Sequence, residues 1–198
     1  MAQLGPIRVA HHTHAPGQVL WAAAHGIPSI LLIRRPIDAV VSYILREPYL
    51  PPRQALSDWI GFYTTLKVEK KHLVLATFEE VTADFGQVVA RLNAFYGVRF
   101  ELPVVTEETT RHIFEQIEAL HRLHRRSGVT DEMQVARPSP ERGGPGSHLR
   151  ALLMEAPSRP LLEEADRLYD SYLEDVSLSV PHLRRVPGRA GPGPAAAE

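Results

Sequence analysis

An apolar run that breaks at a proline-started helix constrains this chain more than any other feature. Residues 27–33 read as a buried strand. The segment that follows, Ile33-Arg34-Arg35-Pro36-Ile37-Asp38-Ala39-Val40-Val41-Ser42-Tyr43, reads as a helix entered directly from it. Pro36 suits the first helical turn, where a missing N–H costs nothing, and Asp38 lies in the turn whose macrodipole favours negative charge. Backbone N–H groups at such a helix start attract anions. Arg34 adds a planar, two-pronged, charge-assisted donor, and Ser42 comes round two turns later. The expected product is an anion clamp built from Arg34, the helix start and Ser42. The competing reading is an Arg34 paired with a carboxylate and a Ser42 with no role beyond its helix.

Further strands are expected at 8–12 and 73–78, and helices at 37–46, 53–68, 84–96, 107–126 and around 161–173. Strands that alternate with helices predict an α/β domain, a parallel sheet flanked by helices. Within 84–96, Val88, Val89, Leu92, Phe95 and Tyr96 share one helical face, which requires a packing partner. Within 107–126, His121 and His124 stand one turn apart among Arg122, Arg125 and Arg126. A solvated basic helix end suits the dipole better than a metal site does. Gly and Pro punctuate 137–148 so densely that a loop is expected there.

At 198 residues with 44% apolar side chains, a single domain over 1–186 has the bulk for a core. The Gly/Pro/Ala tail 187–198 is expected to be disordered. A formal net charge of −1 makes no general case for nucleic acid or a membrane as partner. Basic charge comes chiefly from Arg, with Lys only at Lys67, Lys70 and Lys71, and Arg suits planar phosphate recognition. The absence of Cys rules out disulfides and is compatible with a cytoplasmic location. No secretory signal or apolar membrane span is visible.

Three segments in order carry a family resemblance. Arg34-x-Pro36-x-Asp38-x-x-x-Ser42, followed by Tyr43, resembles the 3′-phosphate-binding motif of sulfotransferases, which use 3′-phosphoadenosine 5′-phosphosulfate (PAPS) as sulfuryl donor. Upstream, Val9-Ala10-His11-His12-Thr13-His14-Ala15-Pro16 is similar to the family's Thr-His-x-Pro segment. His14 then matches the general base, a task suited to an imidazole whose unperturbed pKa is about 6.5. His12 stands where many members have Lys. Downstream, His72-Leu73-Val74-Leu75-Ala76-Thr77-Phe78-Glu79-Glu80-Val81 resembles the family's strand ending in Tyr-Glu-Asp-Leu, with Phe95-Tyr96-Gly97 as the later Phe-Leu-Gly match. By that resemblance Phe78 lies against the donor's adenine, keeping the ring and losing the hydroxyl. On its own Phe78 reads first as a core residue. Arg142-Gly143 is the best match to a late loop that folds over the 3′-phosphate.

The resemblance implies a P-loop nucleotide-binding-like sulfotransferase fold, N-terminally incomplete. The family's Pro-Lys-Ser-Gly-Thr-Thr-Trp-like loop, which holds the 5′-phosphosulfate, has no match before His11, and no Gly-x-x-x-x-Gly-Lys-[Ser/Thr] loop occurs elsewhere. It also implies transfer to a hydroxyl or amine of a small-molecule or carbohydrate acceptor, with PAPS and no metal. Two alternatives stand beside it. One is a non-catalytic nucleotide- or partner-binding remnant of the same fold. The other is a metal-dependent hydrolase on His11, His12 and His14. In an extended segment His12 and His14 share one side while His11 points away, and no fitting carboxylate lies nearby.

Overall fold

The computed structural model describes residues 9–10, 14–124 and 128–179, with side chains as far as 174. Its elements run α1 (Pro16–Ala24), β1 (Ile30–Ile33), α2 (Pro36–Arg46), α3 (Pro52–Leu66), β2 (Val74–Thr77), α4 (Phe78–Ala83), α5 (Phe85–Tyr96), α6 (Glu107–His124), α7 (Gly143–Met154) and α8 (Arg159–Ser179). The described residues are therefore mostly helical around a small parallel sheet, an α/β arrangement. β1 and β2 pair in parallel with Ile30 opposite Val74 and Ile33 opposite Thr77.

Alternation along the strands divides the sheet into two faces. Leu31 and Ile33 join the main core, where they meet Val40, Val41 and Ile44 of α2, Leu56, Tyr63 and Leu66 of α3, and Ala165, Tyr169 and Tyr172 of α8. Ile33, Leu56, Leu66 and Tyr172 are fully buried, and each such side chain stabilises the fold by about 1.5–3 kcal/mol. Val74 and Ala76 are buried on the opposite face, where α5 packs on β2 with Val88, Val89 and Leu92. Phe95, on the same expected helical face, stays 43% exposed. Leu32 is 44% exposed, so this second face is covered under β2 and partly open under β1.

Local chemistry sets the ends of these elements. Pro36 opens α2, and Asp38 in its first turn with Arg46 in its last matches the macrodipole at both ends. The Asp84 carboxylate accepts from the Gln87 N–H to start α5, and Gly97 ends it at a φ of +67°, a left-handed conformation that glycine adopts without steric cost. At the start of α5 a Cβ on Gly86 would come within 2.7 Å of the Pro103 carbonyl oxygen, so only glycine lets the 101–106 segment cross there.

Several expectations are altered. The strand placed at 8–12 lies outside the described residues except for Val9 and Ala10, which carry no regular structure, and the tail 187–198 lies wholly outside them. The strand expected from residue 27 begins at Ile30, and the acidic turn after β2 is the short helix α4. The loop expected over 137–148 is corrected: it ends at a 3-10 turn, Pro140–Arg142, and residues 143–148 form the first half of α7. Pro145 sits in the first turn, where its absent N–H would have no intrahelical partner. Gly146 faces α2, with Val41 and Leu45 side-chain carbons 3.7 and 3.9 Å from where its Cβ would stand. Residues that read as loop punctuation instead let two helices approach closely.

Candidate functional site

The parallel register decides which side chains meet. Ile33 and Thr77 are partners at the ends of β1 and β2, so the next residues, Arg34 and Phe78, emerge side by side at the carboxyl end of the sheet. The Arg34 guanidinium carbon lies 4.2 Å from the Phe78 ring centroid, a cation–π contact. Among the described residues Arg34 has no carboxylate partner, so the ion-pair alternative for it is not realised there. In open α/β sheets, ligands bind at this carboxyl end.

Two helices start here. α2 begins at Pro36 with no side chain capping its first N–H groups, and Asp38 in its first turn is engaged sideways, ion-paired to Arg150 of α7. Ser42 is half-buried about 9 Å further along the axis. A phosphate touching both Arg34 and Ser42 would therefore lie alongside the first two turns of α2. The start of α4 is closed by contrast. The Thr77 hydroxyl accepts from the Glu80 N–H at 3.1 Å, and Glu80 accepts from the Thr77 N–H at 2.8 Å, a complete capping box.

Glu80 also accepts from Arg91 Nη1 of α5 at 2.5 Å. The Arg91 hydrogen bond, opposed by partial burial and assisted by Thr77, holds the Glu80 carboxyl below the usual carboxylate range. This box is what fixes Phe78 beneath Arg34. Thr77→Ala is expected to cost about 1 kcal/mol in chemical denaturation, as loss of an N-cap does. Because the Glu80 carboxyl is depressed on folding, its contribution is present above its unfolded value near pH 4.3 and is lost as pH falls through the lower folded value. Stability measured from pH 7 down to pH 3 should show an acid-sensitive component that Glu80→Gln lacks.

The other sequence candidates come from other segments. His14 is exposed two residues before α1, which packs on α3, while His11, His12 and Thr13 lie outside the described residues. Among the described residues no group of three His, Cys, Asp or Glu side chains is placed to hold a metal ion. Arg142 donates from Nε to the Glu132 carbonyl at 2.9 Å and from Nη2 to the Val135 carbonyl. Burial, then the neighbouring Arg46, lowers its pKa. Arg46 ends α2, so Arg142 stands toward the opposite end of that helix from Arg34. The structure brings Arg34, the α2 start and Phe78 together and leaves Arg142 and Gly143 apart from them.

Sequence reasoning did not identify the Thr77–Glu80 box, although its Thr-x-x-Glu spacing is a readable helix-start signal. It also missed the residues next to the clamp. Arg35 lies 6.0 Å from the Tyr169 ring centroid, and a pocket of about 320 Å³ beside it is lined by Ile37, Met154, Leu162, Asp166 and Asp170 as well. Burial, then the nearby Asp170, raises the Asp166 carboxyl, so this pocket carries a guanidinium and two carboxylates on an apolar floor. No local pattern announces it, because its walls come from α2, α7 and α8. The chain matches no family model, no curated protein and no solved structure in the three comparisons made.

Proposed function

We propose that this chain is a sulfotransferase that binds the 3′-phosphoadenosine part of PAPS at the carboxyl end of its sheet and passes the sulfuryl group to a hydroxyl or amine of a small-molecule or carbohydrate acceptor. One observation carries the reading: an Arg34 guanidinium without a carboxylate partner among the described residues stacks at 4.2 Å on Phe78, beside a helix start that no side chain caps. A guanidinium and free backbone N–H groups suit a phosphate, and an aromatic ring suits a purine. On this reading the base lies against the Phe78 ring, beside the Arg34 guanidinium, and β1, α2 and β2 belong to a P-loop nucleotide-binding-like fold.

In the transfer step the acceptor oxygen or nitrogen attacks sulfur as the S–O bond to the 5′-phosphate breaks. His14 takes the acceptor's proton, and 3′-phosphoadenosine 5′-phosphate departs. Arg34 and Ser42 hold the 3′-phosphate, so their contribution is alignment of donor and acceptor, which can supply much of a rate enhancement.

A second reading, a nucleotide-binding chain that transfers nothing, is favoured by the position of Arg142, whose guanidinium is committed to the 132 and 135 carbonyls. Calorimetry addresses both. Arg34→Ala is expected to lose about 1.5–3 kcal/mol of affinity for 3′-phosphoadenosine 5′-phosphate, the worth of a charge-assisted hydrogen bond, and little for adenosine 5′-phosphate. Equal losses for the two ligands would remove Arg34 from a phosphate site. Selective binding without transfer of labelled sulfate to any of a panel of phenols, sugars and amines would establish the second reading over the first.

A further inference from the structure

α6 is the one long helix among the described residues with no buried side chain. Its inner side is tied to the 128–138 segment: Glu118 accepts from Arg137 at 2.5 Å, and His121 Nε2 accepts from the Asp131 N–H at 3.2 Å. Its outer side carries Thr109, Ile113, Gln116, Leu120 and Leu123, spaced by alternating steps of four and three residues. That is the heptad spacing of a two-helix coiled coil, with Ile113, Leu120 and Leu123 apolar, Gln116 polar among them, and Thr109 at the start, its hydroxyl accepting from the Thr106 N–H and donating to the Val104 carbonyl. Ile113, Leu120 and Leu123 are 52%, 55% and 78% exposed. Isolated exposed leucines are ordinary; a heptad-spaced row on a helix that packs on little else requires a cover.

We infer that a second copy of this chain covers α6, packed antiparallel across a two-fold axis at Gln116. The first turn of α6 is acidic, with Glu107 and Glu108, and its last turn carries the Arg122 cation. An antiparallel partner sets acidic end against basic end and opposes the two macrodipoles, whereas a parallel partner stacks like against like. The axis brings the two Gln116 amides together at the one polar layer, Ile113 beside the partner's Leu120, and Thr109 beside the partner's Leu123. Leu102, Val104 and Val105, in the segment before α6, are exposed as well. A lipid surface fits less well, because the helix carries four Glu against two Arg and no Lys. One helix of about 27 Å makes an interface at the small end of the specific range, so the dimer forms reversibly with concentration.

Sedimentation of the whole chain over a concentration series should show monomer–dimer exchange. Leu120→Asp, checked for unchanged helicity by circular dichroism, should weaken it about 100-fold. Because the chain has no Cys, single introduced thiols read the geometry without background. Gln116→Cys should cross-link to itself on mild oxidation. Thr109→Cys should not, its two copies lying about 21 Å apart in the antiparallel pair. A chain that stays monomeric, or Thr109→Cys cross-linking as readily as Gln116→Cys, overturns the inference. So does a Leu123→Cys thiol that resists labelling in the monomer, which would mean that the chain's own residues cover the row.

Discussion

Tyr172→Ala is expected to destabilise the fold by about 3–5 kcal/mol, the range for truncating a large buried aromatic. Tyr172 is fully buried on α8, its ring edge-on to Tyr63 at a centroid distance of 5.7 Å. Its hydroxyl donates to the Tyr63 carbonyl at 2.7 Å, and the Tyr63 hydroxyl donates in turn to the Leu32 carbonyl at 2.7 Å. α8 thus grips α3, and α3 grips β1, two residues before Arg34. Tyr172→Phe keeps the ring and leaves one carbonyl without its donor, so a loss of about 0.5–1.5 kcal/mol is expected for it. Burial pushes the Tyr172 hydroxyl up to about 12 and raises that of Tyr63 further. An acid raised on folding stabilises fully below its unfolded value of about 10 and loses that contribution as pH rises through the folded value. Alkaline unfolding should therefore set in between pH 10 and 12 and shift in Tyr172→Phe. Equal stability of wild type and Tyr172→Ala in urea would show that the α8 docking is not as described.

His14→Ala is expected to lower the turnover of sulfuryl transfer by roughly 10²–10⁴ with donor affinity little changed, the signature of a lost general base. The expectation rests on the sulfotransferase reading. His14 is exposed ahead of α1. Initial rates with labelled donor, paired with calorimetric donor binding, separate the outcomes. Retained turnover removes His14 from the chemistry, and lost donor binding with lost turnover assigns it to the site's structure instead.

The strand-to-helix unit around Pro36 was legible because every local cue agreed: an apolar run, a proline at the first helical turn and an acidic residue behind it. The apolar face of α5 was legible in part. Val88, Val89 and Leu92 are buried as their period requires, whereas Phe95 is half-exposed against the Tyr96 ring. α7 was illegible for a physical reason, since the Gly run that weakens a helix on its own lets this one pack on α2 through Gly146. α1 opens with Pro16 and Gly17 and gave no periodic signal long enough to read. Arg34 and Phe78 could each be singled out as residues, but their contact follows from a register formed across 44 positions of chain, from Ile30 to Val74. The Arg91–Glu80 and Tyr172–Tyr63 links likewise join residues with no shared local pattern.

The pairing of β1 with β2 closes a loop that contains α2 and α3, and Arg34 reaches Phe78 only once that loop is closed. Neither half of the cradle exists as a binding surface in the open chain, so any ligand that spans the two residues engages the native state alone. Such a ligand acts as a reversible staple between distant parts of the sequence, and mass action then raises the melting temperature with the logarithm of its concentration. A thermal-shift titration with adenine nucleotides differing only at the 3′ position thus ranks ligands for this chain without an acceptor or an activity assay.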